Sequence, residues 1–113
     1  DKTLRFFASE IIREKILKFY DKEIPYCCEI EIDSYREEPT IDRIAATIYV
    51  ARDSQKGILI GHKGEKLKRV GTKAREDLEK FLGKKVFLQL FVKVGGDWRN
   101  DQRKLREFGY DTE

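Results

Sequence analysis

The sequence predicts an α+β domain in which helices cover one side of a three-stranded sheet. Three observations carry this. Apolar residues recur at helical spacing in two long segments and alternate with polar ones in three others. The resulting element order is α-β-β-α-α-β, with an extra helix at the C-terminus. The chain has 113 residues, 40% of them hydrophobic, which is enough for one modest core and not for two.

The first helix runs from Leu4 to Tyr20. Apolar side chains fall at 4, 7, 8, 11, 12, 16 and 19, while Arg5, Glu10, Glu14 and Lys18 occupy the other face. Thr3 is placed to cap its start, and Pro25 lies just beyond its end. From Tyr26 to Tyr35 the period becomes two. Cys28, Ile30 and Ile32 share one face and Glu29, Glu31 and Asp33 the other, as in a half-buried strand. Pro39 punctuates the break. Ile41 to Arg52 alternates again, with Ile44, Ala46, Ile48 and Val50 on one side, so the two strands read as an antiparallel hairpin.

Ser54 is a candidate N-cap for a short helix, "QKGILI", that ends at Gly61. After Gly64 a longer helix begins, with Leu67, Val70, Gly71, Ala74, Leu78 and Phe81 as its apolar stripe. Lys66, Arg69, Lys73 and Lys80 lie away from that stripe, and Gly83 supplies the stop. Gly71 in mid-helix costs about 1 kcal/mol against alanine, which points to a close approach there. Lys84 to Val94 is the clearest strand, with Val86, Leu88, Leu90, Val92 and Val94 on one face. Gly95 to Asp97 forms a turn. Trp98 to Glu107 is a short charged helix, its tryptophan placed to pack onto the sheet.

The net charge of +3 hides an uneven distribution. Residues 1–51 carry net −3, residues 52–75 carry +6, and residues 76–113 are neutral. Basic charge is therefore concentrated around one short region, where it would raise the local density of a polyanion. Adjacent Cys27 and Cys28 make neither a disulfide framework nor a zinc site, which suits a reducing, cytoplasmic setting. No apolar run approaches the roughly 18 residues of a membrane helix. The N-terminus lacks the order of a signal peptide. The sequence contains no methionine, as expected of a piece of a longer protein.

The basic region contains "GILIGHKGEKLK", residues 57–68. It is no nucleotide P-loop: counting from Gly57, the sixth position is His62, where that motif requires glycine. The dinucleotide pattern GxGxxG is absent as well. What remains is GxxG between two helices. Gly61 and Gly64 lack Cβ, so a nucleic-acid backbone can come within hydrogen-bonding range. The intervening His62 and Lys63, and the amides that open the next helix, face phosphates. Apolar residues beside the loop then floor a groove for about four unpaired bases. Lys63, Lys66 and Arg69 are the candidate phosphate partners. Ile58, Ile60 and Leu67 are candidates for the groove, with Lys56 and Arg52 flanking it. Tyr49 and Phe91 are candidate stacking residues. His62 is the only histidine, and no acid–base or nucleophile constellation is visible, so neither a metal site nor catalysis is expected of this chain.

These segments resemble a type II KH domain, and more narrowly the C-terminal KH domain of the bacterial Era GTPase family. The resemblance rests on five ordered segments: "ASEIIREKILKF", "IPYCCEIEID", "IGHKGEKLKRVGTKARED" against the family pattern IGxKGxxIKxIGxxAR, "VFLQLFVKV" and "WRNDQRKLREFGYD". Leu67 stands where many relatives have isoleucine. The resemblance implies binding of single-stranded RNA, at the 3′ end of small-subunit (16S) ribosomal RNA, during maturation of the small ribosomal subunit. It implies a GTPase domain in cis in the parent protein, no cofactor in this chain, and a monomer in the cytoplasm that is peripheral to the membrane at most. The alternatives are a KH-fold docking scaffold that presents Glu29, Glu31 and Asp33 to a protein, or the KH domain of another bacterial RNA-binding protein. The "ASEIIREK" and "FGYD" segments speak against the latter.

Overall fold

The computed structural model describes residues 2–95. Helix α1 spans Lys2–Phe19 and a four-residue helix α2 spans Glu23–Tyr26. Strands β1 (Cys28–Glu37) and β2 (Ile41–Val50) follow. Next come α3 (Asp53–Ile60), a 3-10 turn at His62–Gly64, α4 (Glu65–Leu82) and β3 (Lys85–Val94). The C-terminal helix expected at Trp98 to Glu107, with the preceding turn at Gly96 and Asp97, lies outside the described residues.

β2 is the central strand. It pairs antiparallel with β1 and parallel with β3. Parallel neighbours need a crossover, and α3 with α4 provides it. The face toward the helices carries Cys28, Ile30 and Ile32 of β1 against Val50, Ile48 and Ala46 of β2, and Val92 with Leu90 of β3 continues the same rows. Ile12, Ile16, Val70, Ala74 and Leu59 from the helices close this core. Each fully buried Ile or Leu contributes about 1.5–3 kcal/mol.

Three local features depart from the sequence expectation. Thr3 does not cap α1; it sits inside the helix, which already includes Lys2. Pro25 belongs to α2, where it is buried beside Ile24. In β1 the register shifts between Ile32 and Ser34, so Asp33 is an extra residue. The bulge inverts the alternation. Beyond it Tyr35, opposite Ile44, is turned to the core side. Its hydroxyl donates to Asp42 at 2.7 Å.

α1 also guards the edge of β1. The Arg5 guanidinium donates to the Ile32 carbonyl at 2.9 Å, and Arg13 pairs with Glu29 at 2.6 Å. The first occupies a backbone carbonyl of the edge strand; the second ties a β1 side chain to α1. Cys28 is buried, and that burial pushes its thiol up to about 11, so it stays protonated. Among the described residues no helix is long and apolar enough to cross a membrane.

Candidate nucleic-acid interface

The site begins at the exit of β2. Arg52, in extended conformation, is the N-cap of α3, not Ser54, which lies in the first turn. Gln55 replaces the expected serine cap: its Oε1 accepts from the amides of Ala51 (3.1 Å) and Arg52 (2.9 Å). The helix is then tied to α1 by Tyr20, whose hydroxyl donates to the Leu59 carbonyl. Burial pushes that hydroxyl up to about 12.

α3 stops because Gly61 turns to φ +74° and ψ −179°, a conformation open to glycine. Lys63 (φ +54°) and Gly64 (φ +74°) follow in the left-handed region, and α4 starts at once. The two glycines serve different ends. A Cβ on Gly61 would stand 2.8 Å from Cβ and Cγ of Lys66, so its absence lets the chain pack on itself. A Cβ on Gly64 would meet nothing within 4 Å. It would project into open space.

Gly64 heads a cleft of about 330 Å³ between α4 and β3. One wall is a stripe of α4: Leu67, Lys68, Gly71, Thr72 and Arg75. The other is Leu88 and Leu90 of β3. The two walls come closest at Gly71, where a Cβ would already touch Leu90 Cδ1 at 3.6 Å. The expected close approach at Gly71 is thus a constriction of the cleft.

Of the residues singled out from sequence, Gly64 and Leu67 line the cleft directly. Gly61, His62 and Lys63 form the loop at its head, with His62 and Lys63 exposed. Ile58 is 43% exposed on α3, while Ile60 packs against the core. Lys56 is half-buried and Arg52 exposed, both outside the cleft walls. Lys66 and Arg69 face the opposite way, toward α1. The Lys66 ammonium sits 5.3 Å from the Tyr20 ring centre and the Arg69 guanidinium 4.1 Å from that of Phe19. Tyr49 and Phe91 do not reach the cleft either. Both belong to the sheet face away from the helices, where Tyr49 is 8% and Phe91 47% exposed.

Sequence reasoning missed Lys68, Thr72, Arg75, Leu88 and Leu90. The signal was present: positions 64, 67, 68, 71, 72 and 75 fall on one helical face. No ion pair engages Lys68 among the described residues. No group of three His, Cys, Asp or Glu residues is placed to hold a metal among them either.

The family pattern of the KH domain matches residues 23–99, which takes in the loop, both of its helices and the whole sheet. The chain belongs to the KH-domain family. It is 53% identical over 113 residues to GTPase Era of Syntrophus aciditrophicus, covering 98% of this chain and 37% of that protein. It is also 53% identical over 111 residues to GTPase Era of Coxiella burnetii, covering 98% and 38%. The structure of Aquifex aeolicus Era bound to GDP and aluminium fluoride superposes with a TM-score of 0.88 at 40% identity, covering 95% of this chain and 36% of that one. A structure of Era with MgGDPNP and nucleotides 1506–1542 of 16S ribosomal RNA gives the same figures. This KH domain therefore spans a little over a third of the length of the Era proteins it matches, and is not a GTPase domain.

Proposed function

We propose that this KH domain is the single-stranded RNA-binding module of an Era-type GTPase and binds the 3′ end of small-subunit ribosomal RNA during small-subunit maturation. The observation that carries it is the cleft between α4 and β3, open above Gly64 and floored by leucines. Its apolar floor suits base faces, and its glycine head suits a sugar–phosphate backbone. Net charge of +6 over residues 52–75 supplies the attraction. The Era structure that contains 16S ribosomal RNA nucleotides supports the choice of target. In the full-length parent, GTP binding and hydrolysis belong to the other two-thirds, in cis, and the small ribosomal subunit is the partner. Such a protein works in the cytoplasm.

The test is binding of a labelled RNA of the 16S 3′-terminal sequence to the chain and to Gly64→Asp. Space at Gly64 is open, so the variant keeps its packing and puts a carboxylate where phosphate must sit. Affinity should fall at least tenfold. Unchanged affinity in the folded variant would show that RNA does not bind in the cleft.

Protein docking through Glu29, Glu31 and Asp33 finds less support. Glu29 is only 8% exposed and is paired with Arg13, and Asp33 accepts a hydrogen bond from Thr47 at 2.6 Å.

A further inference from the structure

We propose that the sheet face turned away from the helices carries a second RNA contact at its hairpin end, where Arg36 and Arg43 hold a backbone phosphate and Phe87 stacks an unpaired base. The inference rests on the RNA-binding function above and adds to it a site on the other side of β3 from the cleft.

Beyond the bulge the register sets Arg36 opposite Arg43 and Arg43 beside Phe87, so the three form one row across the sheet. Ser34, Ala45 and Gln89 form the next row on the same face. Both rows point outward, because the row between them, Tyr35, Ile44 and Leu88, packs into the core. The short side chains of Ser34 and Ala45 leave a recess of about 60 Å³, rimmed by Arg36, Arg43, Phe87 and Gln89. The Phe87 ring beside it is 44% exposed.

Charge indicates what this recess receives. Like charges directly opposite each other across an antiparallel pair are destabilising. Arg36 and Arg43 are such a pair, and the carboxylate close to them is Glu38, which accepts from Arg43 Nε at 3.2 Å. No ion pair engages Arg36 among the described residues. Lys85 adds a third positive charge in the row beyond, opposite Ile41. Asp42 gives no relief, because its carboxylate is buried on the core side with Tyr35 and Lys84. A phosphate in the recess relieves the repulsion, and the Ser34 hydroxyl and Gln89 amide can donate to it as well.

The aromatic ring narrows the choice among anions. The Arg43 guanidinium sits 5.7 Å from the Phe87 ring centre, so cation and ring are presented side by side. An unpaired nucleotide uses both at once, with its phosphate on the arginines and its base on the ring. Glu31 and Asp33 lie farther along the same face, where Asp33 accepts from Thr47. They repel a polyanion, which confines the contact to the hairpin end. Such a contact adds affinity and salt sensitivity without sequence choice.

The test titrates a uridine dodecamer into the 113-residue chain and into its Gly64→Asp variant, whose cleft is closed to phosphate. Amide chemical shifts and fluorescence anisotropy at several salt concentrations are the readouts. Shifts should appear at Arg36, Arg43, Phe87 and Gln89 in both proteins. In the Gly64→Asp background, replacing both arginines (Arg36→Gln with Arg43→Gln) should weaken binding at least tenfold. It should also flatten the slope of log affinity against log salt by about 0.7 for each arginine. Phe87→Leu should weaken binding about fivefold or more with the slope unchanged. Circular dichroism confirms that the variants fold, and Arg36→Gln should not lower the melting temperature, since it removes a repulsion. Full dodecamer affinity in the double-arginine variant overturns the proposal, and so do silent amides on this face. Equal shifts from a polyglutamate peptide or from inorganic phosphate also overturn it, because the face then takes anions at large. The cleft is tested separately by the 16S 3′-terminal RNA on the unaltered chain. Failure there removes the function proposed above, while the dodecamer on Gly64→Asp still decides the outer face.

Discussion

The guanidinium of Arg69 lies over the ring of Phe19, 4.1 Å from its centre, and so ties α4 to the end of α1. One turn earlier Lys66 reaches the Tyr20 ring on the same side. Two cations of the basic segment thus hold helices together, on the face of α4 opposite the cleft. Arg69→Ala should cost about 1 kcal/mol of stability, through the lost cation–π contact and packing, with little change in RNA affinity. Lys68→Ala should do the reverse: an unchanged melting temperature, severalfold weaker RNA binding and a salt slope smaller by about one. Melting curves and salt-dependent titrations on the two variants decide the matter.

The three glycines of the loop and α4 should respond differently to alanine. Gly61→Ala collides with Lys66 and places a side chain at φ +74°, so stability should fall by more than the roughly 1–2 kcal/mol of left-handed strain alone. Gly64→Ala has open space and should show only that strain, with weaker RNA binding. Gly71→Ala should raise stability by up to about 1 kcal/mol, because the new methyl makes an ordinary contact with Leu90 and α4 gains helix propensity. It also narrows the cleft, so RNA affinity should fall. Urea denaturation and RNA titration on the same samples check both signs. A Gly71→Ala variant that binds as well as the original would show that the constriction is not used.

The fold was legible wherever the chain kept one period over many residues. α1, α4 and β3 all did, and the hairpin appeared from alternation alone. α2 was hidden because four residues around Pro25 are too short to show a period. The bulge at Asp33 was hidden because strict alternation carries no sign of an inserted residue, and so Tyr35 turns to the core unannounced. The glycine loop was legible from its chemistry. The direction of each cation was not: Lys66, Lys68 and Arg69 are equivalent in composition. Only the angular position on α4, set by which stripe packs against α1 through Val70 and Ala74, separates the helix-bridging pair from the cleft-lining one.

Lys15, 6% exposed, bridges α1 to α4 by donating to Asp77, and it also pairs with Glu14 at 2.8 Å. The hydrogen bond from Lys15 holds the Asp77 carboxyl below its ordinary value of 3.8. Hydrogen bonds to Asp77 and then Glu14 hold Lys15 above its ordinary 10.5. A depressed carboxyl stabilises the fold above its unfolded pKa, and that contribution disappears as pH falls through the folded value. A raised lysine stabilises below 10.5, and that contribution disappears as pH rises through its folded value. Asp77→Asn should therefore cost about 1–2 kcal/mol near neutrality. This is less than for a fully buried pair, because Asp77 is 38% exposed and Glu14 remains. The difference between wild type and variant should be flat from about pH 5 to 9 and shrink below about pH 4. A difference that stays constant through the acid range would contradict this coupling.

The most direct measurement is an amide chemical-shift map of the chain titrated with an unpaired RNA of the 16S 3′-terminal sequence. The shifts should cluster along Gly64, Lys68, Gly71 and Thr72 of α4 and Leu88 and Leu90 of β3, while Phe19 and the acidic residues of β1 stay still. Shifts confined to β1 or to the α1 side of α4, with the α4–β3 cleft silent, would contradict it.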